Sequence, residues 1–339
     1  MRKQLNRTWC TRSSGNIVAT LFFAVVASSI AAFVGINYGQ RILDTVIASQ
    51  FSPPSQIVAI KNTLKLTDEG RTVFYASQPK VQDQVHFNDS CKSTERTAAM
   101  LGCYYKRQIY LFDITNEELQ GALEVTAAHE MLHAAYDRLP FYEKNKIDQL
   151  VQDEYQQVKN DQTIKDLVAY YEKAEPGSVT NELHSILGTT VSSLNAELEQ
   201  HYEKYFTDRQ SIVFMNEKYS AVFKKVQDEA ASLSKKISAE GKDIERKMSQ
   251  YEADRKQLES DIDVFNQRAS SGEFTSQGSF QVARTALSSR ATAISQRRDE
   301  LNSKVDSYNQ LVEQLNRLSV RSDELNKSIN GITTPETKL

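Results

Sequence analysis

The most regular pattern in the chain is a seven-residue repeat of apolar positions in residues 207–330, a segment without proline. Such a repeat is typical of a coiled-coil seam. A polar turn with two glycines, near residues 269–280, separates two arms of the repeat. The sequence therefore predicts a long antiparallel coiled-coil hairpin, with pairing between two chains as the alternative. The repeat positions are Phe223, Ala230, Ile237, Ile244, Tyr251, Leu258 and Phe265, then Leu287, Ile294, Leu301, Tyr308 and Leu315.

Residues 57–206 have the mixed pattern of a compact domain. Residues 57–66 suit a short helix or a strand, whereas 71–77 and 108–114 are rich in β-formers and predict strands. Thr115 and Glu118 have capping-box spacing, which predicts a helix ending at Leu139, before Pro140. Helices are predicted over residues 141–160, 162–174, 179–187 and 194–205. The fold class expected is mainly α with a small β part (α+β).

An uncharged segment, residues 15–38, follows a basic tail, residues 1–14, which has no acidic residue. About 20 apolar residues in a helix match the thickness of a bilayer core. The basic flank favours a cytoplasmic N-terminus. The sequence therefore predicts a single-pass membrane protein with a bilayer anchor, a linker at 39–56, the compact domain outside the cytoplasm and a tail at 331–339. A cleaved signal peptide is the alternative.

Composition narrows the classes of function. Of 339 residues 40% are hydrophobic and 25% charged, which suits a folded protein, and the net charge of -3 gives no reason to expect a nucleic-acid partner. Of the three cysteines, Cys91 and Cys103 form an even pair in the domain expected outside the cytoplasm. There such a pair usually forms a disulfide, with free thiols as the alternative.

The main candidate for chemistry is the segment from His129 to His133, which reads His-Glu-Met-Leu-His. Two histidines four residues apart lie on one face of a helix and can bind one Zn²⁺. Glu130 beside them can take a proton from a water molecule. Uncharged residues flank the segment on both sides, as expected for a helix buried beneath a cleft. The sequence therefore predicts one zinc ion per chain.

Downstream, residues 181–185 read Asn-Glu-Leu-His-Ser. Together with the first segment, this resembles the HExxH and NExxS elements of gluzincin metallopeptidases, over roughly residues 108–187. The resemblance implies a strand above the active-site helix, and Glu182 as third zinc ligand. Thermolysin-like members have an aspartate after the serine, whereas Ile186 stands here. The carboxylate that orients a ligand must then come from elsewhere, with Asp137 as a candidate, or backbone carbonyls orient His129 and His133 instead.

Alternatives to Glu182 remain at the third-ligand position. Glu182 and His184 are two residues apart and point about 200° from each other on a helix, so both cannot reach one metal. Catalytic zinc commonly takes two histidines and one glutamate, which favours Glu182. His184 is the second choice, and His201 is a third.

These residues predict a zinc-dependent endopeptidase acting on protein or peptide substrates, with Glu130 as general base. His201, Tyr202 and Tyr205 could supply an oxyanion donor, with His184 another possibility, although the sequence favours packing or surface positions for the first three. The residues expected to form a substrate-binding edge strand are Gln108, Ile109, Tyr110, Leu111 and Phe112. The alternatives are a non-catalytic envelope scaffold, or a zinc hydrolase of a non-peptide envelope amide. The coiled coil could bind a partner protein or a second copy of the chain.

Overall fold

The computed structural model describes residues 39–91, 101–174 and 177–329, together with residues 26, 28, 29 and 35. The chain divides into two compact units, Met1–Tyr219 with Ile329–Leu339, and Ser220–Ser328. Across the described residues the fold is mainly α with a small three-stranded sheet, which confirms the fold class at this level.

The helices and strands have the following bounds. Helix α1 covers residues 39–50, and the next helices are α2 Ser55–Thr63, α3 Asp68–Ala76, α4 Gln84–Ser90, α5 Ala122–Asp137 and α6 Phe141–Val158. The remaining helices are α7 Gln162–Ala174, α8 Val179–Thr190, α9 Ala196–Glu203, α10 Arg209–Ser270 and α11 Gln277–Ile329. The strands are β1 Lys80–Gln82, β2 Gly102–Tyr105 and β3 Gln108–Phe112.

The sheet has the order β1-β3-β2, with β1 parallel and β2 antiparallel to β3. A two-residue turn joins β2 to β3, and both of its residues, Lys106 and Arg107, have positive φ. Because β3 is paired on both sides, the prediction that Gln108–Phe112 is an edge strand is wrong. The edge strand on the other side of the turn is β2.

The two faces of the sheet have different neighbours, since side chains alternate along a strand. Ile109 and Leu111 are fully buried on the face that packs on α5. On the opposite face, Cys103 packs with Cys91 and Phe87. Cys91 and Cys103 form a disulfide, which ties α4 to β2.

Two local predictions differ from the structure. Residues 71–77 were expected as a strand, but residues 71–76 lie in helix α3 and Ser77 follows as its C-cap. The Thr67 side chain caps the start of this helix by accepting a hydrogen bond from Gly70 N–H. Thr115 does not begin the next helix. Asn116 instead caps a short 3₁₀ turn, and α5 starts only after Gly121, whose φ is +98°.

The N-terminal predictions also change. Residues 39–50, expected as part of a linker, are helical, and Asp44 is only 4% exposed. No helix within the described residues is long and apolar enough to cross a membrane. This finding contradicts the prediction of a single-pass membrane protein. Crossing needs about 20 consecutive apolar residues. The predicted anchor, residues 15–38, is described only at 26, 28, 29 and 35, and the predicted tails 1–14 and 331–339 lie outside the described residues.

The core of the first unit forms around α5, which packs on the sheet, on α3 and on α8. Its alanines at 127, 128, 134 and 135 are at most 1% exposed, so these neighbours approach its backbone closely. The start of α10 belongs to the same core, because Ile212 and Val213 are at most 2% exposed. The first unit therefore extends beyond residue 207, where the hairpin was expected to begin.

The second unit consists of the rest of α10 and nearly all of α11. Ion pairs join the two helices at Asp261–Arg290, Asp254–Arg297 and Asp243–Lys304. Their residue numbers rise in one helix as they fall in the other, so the helices run antiparallel. At the turn, the rings of Phe265, Phe274 and Phe280 lie within 5.2–5.4 Å of one another.

Candidate metal centre

Three side chains from two helices meet at the candidate site. Helix α5 presents His129 and His133 on one face, and α8 brings Glu182 against them. The Nε2 atoms of the two histidines are 3.1 Å apart. The carboxylate oxygens of Glu182 lie 3.4 Å from Nε2 of His133 and 3.5 Å from Nε2 of His129. Among the His, Cys, Asp and Glu side chains of the described residues, these three form the group that lies close enough together to hold a metal ion.

The spacing of these atoms fits a tetrahedral ion. Ligand atoms about 2.0–2.1 Å from such an ion are about 3.3 Å from each other. The two Nε2 atoms are close to that separation, and each histidine has one oxygen of Glu182 beside it, Oε1 for His133 and Oε2 for His129. Oε2 of Glu182 is buried and has no hydrogen-bond partner among the described residues. A buried carboxylate oxygen without a donor is costly unless a cation is present. The donor set and its geometry therefore fit a zinc ion.

Asn181 orients one of these histidines. Its Oδ1 lies 3.0 Å from Nδ1 of His133, so the Nδ1–H donates and the lone pair of Nε2 is directed to the site. Asn181 takes the orienting role for which Asp137 was the candidate. Asp137 instead accepts a hydrogen bond from the Tyr104 hydroxyl. The signal was present in the sequence, since Asn181 directly precedes Glu182.

Electrostatics couple the three groups. Burial alone would raise the pKa of Glu182, but the charge of His133 and the ring nitrogens of both histidines beside the carboxylate hold that pKa below its usual value. Burial alone would lower the pKa of His133, and the Glu182 charge and hydrogen bond outweigh it and raise that pKa. Without metal, the site therefore favours an ionised glutamate next to a protonated histidine.

The side chain of Glu130 extends from helix α5 to strand β2. It is 6% exposed, and burial raises the pKa of its carboxyl group. The charges of His133 and His129, and then the nearby backbone N–H of Tyr104, act in the opposite direction and lower that pKa. Gly102 makes this approach possible, because a Cβ there would be 2.9 Å from Oε1 of Glu130 and 2.6 Å from Cγ2 of Thr126.

Among the described residues no strand pairs with the outer edge of β2, and this edge faces Glu130. Phe112 N–H donates to Leu101 C=O at 2.8 Å. In an antiparallel pair every second residue is hydrogen bonded to the partner strand, so Leu101, directly before β2, and Cys103 and Tyr105 within it are the residues that bond to β3. The backbone polar groups of Gly102 and Tyr104 consequently point away from β3. The influence of the Tyr104 N–H on the pKa of Glu130 agrees with this direction.

The other sequence candidates lie in the core rather than with the three ligands. Nε2 of His184 is 2.9 Å from Nε2 of His201, and both rings are buried. Burial lowers the pKa of both imidazoles, that of His201 to about 3. The Tyr202 hydroxyl donates to the backbone oxygen of His184, and Tyr205 packs against His201. These contacts link α9 to α8 behind the site.

Comparison of the chain with protein-family models, with curated proteins and with solved structures finds no match.

Proposed function

We propose that this chain is a zinc-dependent endopeptidase of the zincin type. The observation that carries the proposal is the convergence of His129, His133 and Glu182, whose ligand atoms, one from each residue, all lie within 4.8 Å of one another. Two histidines and one glutamate are a common ligand set of catalytic zinc, with the fourth position left for water or substrate.

The residues around the ligands support hydrolysis rather than a purely structural zinc site. When bound, zinc supplies Lewis-acid chemistry that polarises a carbonyl group and makes water more acidic. Glu130 is the base that accepts a proton from the attacking water and returns it to the leaving amine. Its burial brings the carboxyl pKa closer to neutral pH, which suits both steps. A structural site would have no use for such a carboxyl group.

The same geometry supports an extended peptide as substrate. A chain lying along the unpaired edge of β2 would meet the backbone groups of Gly102 and Tyr104. Its scissile carbonyl would then lie beside Glu130. In this proposal the substrate strand pairs with β2, and β3 only supports β2 from behind.

For the second unit we propose a coiled-coil hairpin that acts as an arm for a partner protein or for a second copy. Leu258 and Leu301 are buried in its seam, at 7% and 3% exposure. The ion pairs between the helices lie beside that seam. The remaining charged side chains along both helices are largely exposed, as on a solvated coiled-coil surface.

The test is metal analysis of the purified full-length chain together with a casein cleavage assay. We expect about one zinc per chain. Glu182→Ala should lose the zinc, whereas His184→Gln, the matched control two residues away, should keep it. Glu130→Gln should keep zinc and lose cleavage, since only the proton carrier is removed.

Each other outcome has a definite meaning. Absence of zinc from wild type contradicts the peptidase and leaves an arm-bearing scaffold as the function. Zinc binding without cleavage of casein or peptides points to hydrolysis of a non-peptide amide instead.

A further inference from the structure

Tyr104 lies in β2, the strand that approaches Glu130, the proposed base. Two residues before it, a Cβ on Gly102 would be 2.9 Å from Oε1 of Glu130. The Tyr104 hydroxyl donates to Oδ2 of Asp137 at 3.1 Å and accepts from Nη1 of Arg138 at 3.1 Å. The side chain therefore connects the edge strand β2 to the C-terminal end of α5, one turn beyond His133.

Arg138 connects this tyrosine to the N-terminal helix. Its Nε donates to Oδ2 of Asp44 in α1 at 3.0 Å, and its Nη1 also donates to the Ala134 carbonyl at 2.8 Å. The side chains of Arg138 and Asp44 are each only 6% exposed. One planar guanidinium group thus joins α1, α5 and β2.

Burial makes this arrangement different from an ordinary surface ion pair. Taking two charges out of water costs several kcal/mol each unless they are paired and hydrogen bonded. A lone arginine at the end of α5 could remain in water and interact with the helix dipole there. The structure instead buries Arg138 with its fork divided among Asp44, Ala134 and Tyr104, which holds the three elements in one arrangement.

We propose that Asp44, Arg138 and Tyr104 are positioning residues for Glu130. Through them α1 holds strand β2 over α5, so that the backbone of β2 around Gly102 fixes the direction of the Glu130 carboxylate. This inference rests on the proposed function, and it makes the N-terminal helix part of the catalytic unit. None of the three residues would touch the reacting atoms with its side chain.

The same helix supplies a matched control. Arg41, also in α1, pairs with Glu69 of α3 at 3.5 Å, but these side chains are 70% and 43% exposed. Both ion pairs join α1 to other helices of the first unit, but only the Asp44–Arg138 pair is also hydrogen bonded to Tyr104. Breaking the Arg41–Glu69 pair therefore tests the packing of α1 alone, whereas breaking the Asp44–Arg138 pair also tests the position of β2.

The experiment compares wild type, Asp44→Asn, Tyr104→Phe and the control Arg41→Gln in the full-length chain. Hydrogen–deuterium exchange of residues 101–105 reports the order of β2 without any turnover. Zinc content reports the ligands, and kcat and KM on one peptide report catalysis. Tyr104→Phe removes only a hydroxyl group, so it keeps the test decisive if Asp44→Asn folds poorly.

We expect Asp44→Asn and Tyr104→Phe to exchange faster in β2 and to lose about tenfold or more in kcat at unchanged zinc content. Arg41→Gln should match wild type in all readouts. Unchanged exchange and kcat in Tyr104→Phe overturn the inference, as does an equal loss in Arg41→Gln. If wild type binds zinc but cleaves nothing, the proposed peptidase fails. Unchanged hydrogen–deuterium exchange of β2 in Asp44→Asn and Tyr104→Phe would separately overturn the proposal that these residues hold the strand in place.

Discussion

Nδ1 of His133 and Oδ1 of Asn181 are 3.0 Å apart, so one hydrogen bond joins α5 to α8 beside the candidate metal centre. The bond selects the imidazole tautomer whose Nε2 can bind metal. It also joins a ligand of one helix to the residue that precedes the ligand of the other. The orientation of the whole ligand group therefore depends on how these two helices pack.

Replacing Asn181 should weaken metal binding without removing a ligand. We expect Asn181→Leu to lower zinc affinity about 10–100-fold, because His133 loses the acceptor that sets its tautomer. Asn181→Asp keeps an acceptor and is the matched control, with affinity close to wild type. Competition with a chromophoric chelator measures both. Equal affinities for Asn181→Leu and wild type would show that His133 is oriented by something else.

A side chain at position 102 should disturb both packing and the proposed base. In Gly102→Ala the new Cβ would meet Thr126 and Glu130 at 2.6–2.9 Å, so β2 or Glu130 must shift. We expect about 1–3 kcal/mol lower free energy of unfolding and a loss of peptidase activity. Gly177→Ala is the control, since a Cβ there meets nothing within 4 Å. Urea unfolding and the cleavage assay together measure the effects. Wild-type values in Gly102→Ala would contradict the close approach.

The disulfide between Cys91 and Cys103 should stabilise the first unit, because it ties the end of α4 to the edge strand β2. Cross-linked residues are 12 apart in sequence, and closing such a loop contributes about 2–4 kcal/mol. We expect the double variant Cys91→Ser, Cys103→Ser to lose that amount in urea unfolding. Reductant should destabilise wild type equally and leave the variant unchanged. A variant as stable as wild type would make the bridge dispensable.

The buried His184–His201 pair should make stability depend on pH. The pKa of His201 is lowered to about 3 in the folded chain, against an ordinary value of about 6.5. Below pH 6.5 the unfolded chain therefore binds more protons, and stability falls as pH drops towards 3. One imidazole accounts for about 1.4 kcal/mol by pH 5.5.

The measurement is urea unfolding of wild type and His201→Gln at pH 7.5 and 5.5, with a chelator present. The variant should lose less stability on acidification, since one imidazole that must remain neutral is gone. An equal loss in both proteins would contradict the burial of His201. The comparison cancels the metal ligands, which are the same in both proteins.

Ion pairs between α10 and α11 should determine how the two helices align. Asp254 pairs with Arg297, and Asp261 with Arg290. We expect the single reversals Asp254→Arg and Arg297→Asp each to destabilise the second unit, and the double reversal to recover about 0.2–1 kcal/mol. The recovery should shrink at high salt. The pair Arg255–Glu259 within α10 serves as the control, since exchanging its charges should not alter the alignment. Additive effects of the two reversals would contradict the pairing.

Local patterns in the sequence determined much of this protein. A spacing of four residues is enough to place His129 and His133 on one helix face, because it depends only on helix geometry. The same reasoning found the helices from residue 141 onward and the turn between α10 and α11. Apolar spacing and breakers act over a few residues, so they can be read without knowledge of the rest of the chain.

Only the tertiary structure decided which distant groups meet. The bond between His133 and Asn181 spans 48 residues, and the contact between Gly102 and Glu130 spans 28. The β-rich segment 71–77 became mostly helix with Val73 and Phe74 buried in the core, and β3 became the central strand because β1 also pairs with it. Residues 39–50 could be recognised as part of the folded unit only from the burial of Asp44 against Arg138. Such contacts depend on the packing of whole elements, which short-range spacing does not encode.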